Sequence, residues 1–288
     1  MRRKTCPMSI FEVHNGLFDA LCEVVNILDK HGIRYYLMFG TLLGCIRDGG
    51  PIKWDDDIDI CVRAEDWERM NNILIDEIDS GRYFILNHLT KPDYPDCRYI
   101  TRVGLNGTFR RMEYYKDVSN QSGIFIDIFQ LCSVPDGRLC SMLWECELDV
   151  IDGIINLKTM NKGTYPNPHL ISKIIYFMYG NKRRVAYWNQ IRRRIQNKYN
   201  DKATKYITVP FGRYGVYSLQ KARYKKSWFE VALEKDFSVK NSYGVTNKEK
   251  KFSVPSGYAN ILSVTYGNWK KKPKLRVAPA TSFWEVKN

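Results

Sequence analysis

Between Trp54 and Val62 the chain reads Trp-Asp-Asp-Asp-Ile-Asp-Ile-Cys-Val. Four carboxylates, Asp55, Asp56, Asp57 and Asp59, fall within five positions. Like charges packed this closely raise the energy of a fold unless a cation neutralises them. Asp57 and Asp59 also alternate with Ile58 and Ile60, which is the period of a strand with one polar and one apolar face. A solvated acidic loop has no need of apolar partners at every second position. A calcium loop is also disfavoured, because its glycine and distal glutamate are missing. The segment therefore predicts a strand over 57–62 that carries two acids on one face. Oxygen ligands so placed suit a hard cation such as Mg²⁺ or Mn²⁺.

Two further features gain meaning beside it. Arg34–Phe39 reads as a short strand that enters Gly40-Thr41, and a helix is expected over 41–46. A glycine at such a turn lets backbone N–H groups approach a phosphate near the positive end of a helix. Asp127 stands alone inside Phe125-Ile-Asp-Ile-Phe129, an apolar strand. A lone carboxylate there must be paired or metal-bound. If its strand lies beside 57–62, Asp57, Asp59 and Asp127 converge. The plainer alternative is an ion pair with Arg102 or Arg98.

The other elements follow from periodicity. Residues 9–31 form an amphipathic pattern with a Ser9–Glu12 capping box, and Gly32 stops it. A helix is expected at 64–78, strands at 83–87, 99–105, 109–115 and 122–129, and a helix at 139–161. Beyond Gly163 the expectation is a helical region at 170–200, then a Gly- and Tyr-rich stretch at 211–217 and mixed short elements. No apolar run approaches the ~20 residues of a membrane span, and the N-terminus lacks a secretory pattern. The eight cysteines form no Cys-x-x-Cys pair, so reduced thiols are expected rather than a zinc site.

Charge divides the chain. The net +14 conceals 17 basic against 24 acidic residues in 1–150, and 28 against 7 in 151–288. Such a basic half points to phosphate-rich polymers or anionic headgroups.

Gly40-Thr-Leu-Leu-Gly44, Arg47, Gly50, Ile52 and Trp54-Asp-Asp-Asp-Ile-Asp59 together resemble the LicD family, the phospho-alcohol transferases related to fukutin-related protein. Ile126-Asp-Ile-Phe129 resembles the family's second acidic strand. Val254-Pro-Ser-Gly-Tyr258, Tyr266-Gly-Asn-Trp269 and Pro273 resemble its closing segment. Asp48, Lys53 and Gln130-Leu-Cys132 depart from the usual pattern without removing a candidate ligand. The resemblance implies an α+β fold, a nucleotidyltransferase-like mixed sheet flanked by helices with a basic, largely helical C-terminal half. A catalytic core over 1–162 and a basic region over 163–288 packed on it are expected.

The implied reaction moves a phospho-alcohol, phosphocholine foremost, from a CDP-linked donor to a hydroxyl of a cell-surface glycan such as lipopolysaccharide or teichoic acid, releasing CMP. Asp57, Asp59 and Asp127 would be the catalytic and metal-binding acids. Gly40, Thr41 and Arg47 would hold donor phosphates. Trp54, Asp55, Asp56 and Arg102 would serve the donor or support the metal ligands. A cytoplasmic place is expected, with peripheral contact to an anionic membrane face. Two alternatives keep other functions open: nucleotide transfer to RNA, protein or a small alcohol, and a non-enzymatic basic protein that binds nucleic acid. No recognition motif supports the latter, and nucleic acid is not an expected partner.

Overall fold

The computed structural model describes residues 4–98, 100–110, 123–164, 167–210, 223–272 and 283–287. The chain opens with β1 (Lys4–Pro7) and α1 (Ile10–Lys30). The capping box forms as expected: the Ser9 N–H donates to Glu12 Oε2 (2.7 Å) and the Glu12 N–H donates to Ser9 Oγ (3.3 Å). Val13, Leu17, Leu21, Val24 and Leu28 make its buried stripe.

The central sheet follows from β2 (Tyr35–Leu37), β3 (Ile58–Arg63), β4 (Tyr83–Leu86), β5 (Ile100–Leu105) and β7 (Phe125–Val134), after the short β6 (Thr108–Arg110). Its order is β2-β3-β7-β5-β4. The β3–β7 pair is parallel, and the other pairs along that path are antiparallel. The sheet is mixed, with helices packed around it, which is an α+β fold. Every residue of β7 is buried, as expected of a strand with neighbours on both sides and layers above and below.

Helix α2 (Phe39–Asp48) sits between β2 and β3, and α3 (Trp67–Glu77) follows β3. Then come α4 (Arg138–Thr159), α5 (Leu170–Ile175) running into a wider π-type turn at 176–180, and α6 (Val185–Asn197). Strand β8 (Tyr206–Thr208) pairs with the far end of β7 and with β9 (Tyr224–Lys225).

The stretch expected to hold mixed short elements contains a long hairpin, β10 (Ala232–Lys240) and β11 (Thr246–Pro255), followed by α7 (Tyr258–Tyr266). Strand β12 (Phe283–Lys287) lies between β1 and β6. The hairpin shares the main core. Phe18 of α1 stacks on Phe237 and meets Phe252 edge-on, at centroid distances of 6.5 and 5.8 Å. A hydrogen bond from Tyr36 to the Phe229 carbonyl ties the turn before the hairpin to β2, and the Ser238 N–H donates to the Gly49 carbonyl (2.9 Å) and ties the hairpin to the end of α2. Gly50 is required there, because a Cβ would overlap the Ser238 carbonyl oxygen. The Gly- and Tyr-rich stretch at 211–217, most of the strand expected at 109–115, and Pro273 lie outside the described residues.

Among the described residues no helix is long and apolar enough to cross a membrane. Cys6, Cys22, Cys45, Cys61, Cys132, Cys140 and Cys146 are free thiols, with Cys45, Cys61 and Cys132 buried.

Candidate active site

Register brings the acids together. Asp59 on β3 is the Cα partner of Asp127 on β7, and Asp127 is in turn the partner of Arg102 on β5. Three charged residues thus cross three adjacent strands in one row. Arg102 donates from Nε to Asp127 Oδ1 (2.7 Å) and from Nη2 to Oδ2 (2.8 Å). Its third nitrogen reaches the Tyr94 hydroxyl (2.5 Å), Asp96 lies 3.6 Å away, and the Phe125 ring sits beneath the guanidinium at 3.7 Å. The ion pair named as the alternative in the sequence is present, and register sets Asp59 beside Asp127.

The other three acids occupy the turn that enters β3. Asp55, Asp56 and Asp57 each offer a carboxylate oxygen within 4.8 Å of the other two. Burial, then Asp57 and Asp56, push the Asp55 carboxyl up to about 7. Burial, then Asp127 and Asp56, push Asp57 up to about 6, with Arg110 and Arg102 pulling the other way. Asp59 is raised well above the carboxylate range by burial and by Asp57, Asp127 and Asp55. Asp56 is raised by burial, opposed by Arg110 at 3.9 Å. An all-oxygen donor set with this much unrelieved repulsion fits a hard divalent cation.

The start of α2 holds the turn in place. Thr41 Oγ1 accepts the Asp59 N–H (2.8 Å), and the Asp59 carbonyl accepts the Met38 N–H (3.0 Å). Thr41 is buried and braces β3, so its hydroxyl oxygen is already engaged. The Asp55 carboxylate lies where a Cβ on residue 40 would stand, which explains the glycine. The approach that sequence reasoning reserves for a phosphate is thus taken by Asp55 at the positive end of the helix. Phe39, the first helical residue, has φ +48°, a strained value for a bulky side chain. From α1, His14 Nε2 donates to the Asp55 carbonyl (2.7 Å).

A cavity of about 390 Å³ opens beside Asp55. Gly40, Leu43 and Arg47 of α2 form one wall, and Ile52 and Trp54 join Asp55 on a second. Tyr266, Asn268, Trp269 and Lys271 form the third. Arg47 donates to Asp48 Oδ2 from Nε (3.1 Å) and Nη2 (2.7 Å), and Lys272 reaches Oδ1 (2.8 Å). Burial opposes ionisation of Asp48, but these hydrogen bonds outweigh it and hold its carboxyl below the usual range. Trp54 packs on the core and lines this cavity. A smaller cavity of about 120 Å³, between Arg63, Ser133 and Lys226 at the far ends of β3 and β7, contains none of the motif residues.

Tyr94, Asp96, Arg110, His14 and Lys271 are the site residues that sequence reasoning missed. Residues 266–269 stand out in the sequence, but only the fold places them against Trp54.

Comparison with known proteins agrees with this geometry. The description "LicD/FKTN/FKRP, nucleotidyltransferase domain" matches residues 32–142. These residues form a LicD-family domain. It contains the whole carboxylate cluster, together with Gly40, Thr41, Arg47, Trp54 and Arg102. Beyond it, the chain is 24% identical over 261 residues to the lipopolysaccharide cholinephosphotransferase LicD of Haemophilus influenzae, covering 89% of this chain and 87% of that one. It is 46% identical over 79 residues to the ribitol 5-phosphate transferase FKRP of Homo sapiens, covering 26% of this chain and 16% of that one. The LicD-family likeness to the bacterial transferase therefore extends well past the domain.

Proposed function

We propose that the protein transfers a phospho-alcohol, phosphocholine foremost, from a CDP-linked donor to a hydroxyl of a cell-surface glycan. The observation that carries this reading is the carboxylate cluster reaching, through Asp55, a cavity that Arg47, Lys271, Trp54 and Trp269 also line. Asp55, Asp56 and Asp57, with Asp59 and Asp127 behind them, would hold Mg²⁺ or Mn²⁺. A cation bound there supplies charge neutralisation for the diphosphate.

The remaining work falls to side chains of the chain itself. Arg47 and Lys271 bind donor phosphate oxygens across the cavity. Trp54 and Trp269 offer ring faces to a quaternary ammonium. Gly40 and Thr41 keep Asp55 and β3 in register with that pocket. The acceptor oxygen attacks the phosphorus nearer the alcohol. A new O–P bond forms, the bond to CMP breaks, and the acceptor proton leaves to a carboxylate or to water. We assign Asp127 a ligand role, because Arg102 holds both of its carboxylate oxygens in a fixed orientation. In this reading residues 1–162 are the catalytic core, and the basic region 163–288 faces a phosphate-rich or lipid-linked acceptor.

The test is a screen of CDP-choline, CDP-ethanolamine, CDP-ribitol and CDP-glycerol with Mg²⁺ and glycan acceptors, reading CMP. Acceptor-dependent CMP from one of these donors supports the proposal. Label passing instead from nucleoside triphosphates to an acceptor would replace it with nucleotidyl transfer.

A further inference from the structure

The helix that runs from Leu170 through the π-type turn to Gly180 is turned inside out. Ser172 is buried against α4, closing on the backbone at Gly153, and Ile175 and Tyr176 pack toward Ile151, Ile154 and Trp188. That fixes the inward face. The outward face carries Leu170, Ile171, Ile174, Phe177 and Met178, spaced as neighbours along one side of a helix. Phe177 is 89% exposed and Leu170 72%, and the other three are about half exposed or more. Scattered exposed apolar residues need no explanation, but a continuous row of five does.

Charge identifies what covers it. From Gly153 to Asn200 the chain holds ten Lys and Arg and no acidic residue. Lys173 stands exposed within the apolar row, and Lys182 and Arg183 are exposed at its end. At a protein interface Lys173 would be buried with its charge, which is costly without a partner. At a bilayer surface its long stem lies along the apolar side chains while the ammonium reaches the headgroups. An apolar strip with Lys173, Lys182 and Arg183 exposed along it, in a stretch of chain without acids, matches a lipid surface with anionic headgroups.

We propose that residues 170–183 form a membrane-surface anchor. The row Leu170–Met178 inserts among the acyl chains of one leaflet, and Lys173, Lys182 and Arg183 hold anionic headgroups. The anchor uses no residue of the carboxylate site, so it stands or falls independently of the proposed transfer reaction.

The test is co-sedimentation of the full chain with vesicles of phosphatidylglycerol and phosphatidylcholine, and with phosphatidylcholine alone. The wild-type chain is expected to bind the anionic vesicles, and more weakly as salt rises. Ile174→Ser with Phe177→Ser changes two exposed positions and should leave the melting temperature intact. It should weaken binding about tenfold or more while CMP release with a soluble acceptor is unchanged. Lys182→Gln with Arg183→Gln should reduce the salt dependence. Equal vesicle binding by wild type and the Ile174/Phe177 variant would overturn the proposal. So would an absence of vesicle binding, or a wild-type dimer in sedimentation velocity that this variant abolishes, which would assign the strip to a second copy of the chain.

Discussion

Replacing Asp57 by Asn should stabilise the protein and abolish its activity. In the fold, burial, Asp127 and Asp56 raise the Asp57 carboxyl from 3.8 to about 6. Each unit is ~1.4 kcal/mol, so an ionised Asp57 opposes folding by up to about 3 kcal/mol at pH 8. Asn removes that repulsion and also forfeits attraction to Arg110 and Arg102, so the gain should be about 1–3 kcal/mol. For a chain of this size that is a rise in melting temperature of roughly 2–8 °C.

The sign follows from proton uptake. Between the unfolded and folded values the folded chain holds more protons, so the contribution of Asp57 to stability falls as pH rises through that window. The advantage of Asn is therefore full at pH 8 and gone by pH 4, where the native carboxyl is already neutral. Mg²⁺ or Mn²⁺ should raise the melting temperature of the wild-type protein more at pH 8 than at pH 5, and should do much less for the variant. Thermal denaturation with and without metal at both pH values decides it. A variant no more stable than wild type at pH 8, with an unchanged metal response, would refute the reasoning.

Three other substitutions probe separate parts of the site. Arg102→Leu leaves Asp127 buried without its clamp and should cost ~3–5 kcal/mol at pH 7 by denaturant unfolding. Gly40→Ala displaces the Asp55 carboxylate and should cut CMP release more than tenfold, while circular dichroism shows the fold retained. Trp269→Ala removes a contact of ~0.5–2 kcal/mol to a quaternary ammonium. It should raise KM for CDP-choline about 3- to 30-fold and leave KM for CDP-glycerol nearly unchanged.

The heart of the site was legible in the sequence because strand period and charge act locally. Asp57, Ile58, Asp59 and Ile60 announce a strand with an acidic face, and the apolar flanks of Asp127 announce another. That these strands are adjacent and in parallel register is a tertiary fact, which the sequence could pose only as a condition. The clamp on Asp127 was foreseen through Arg102, but Tyr94 and Asp96 were not, since they lie on the irregular approach to β5. The far wall of the cavity was hidden for another reason. Tyr266, Trp269 and Lys271 come from a segment more than 200 residues beyond Trp54, and no local pattern ties the two. The hairpin β10–β11 escaped notice because its outer half is solvated and charged, which leaves Phe237, Val239, Phe252 and Val254 as a sparse apolar signal.

The reaction itself is tested most directly with CDP-choline labelled separately at its two phosphorus atoms, in the presence of Mg²⁺ and a glycan acceptor. Transfer of a phospho-alcohol places the choline-side phosphorus on the glycan and leaves the cytidine-side phosphorus in CMP, with both products lost in Asp57→Asn. Cytidine-side label on the acceptor with release of phosphocholine, or full turnover by Asp57→Asn, would contradict the account.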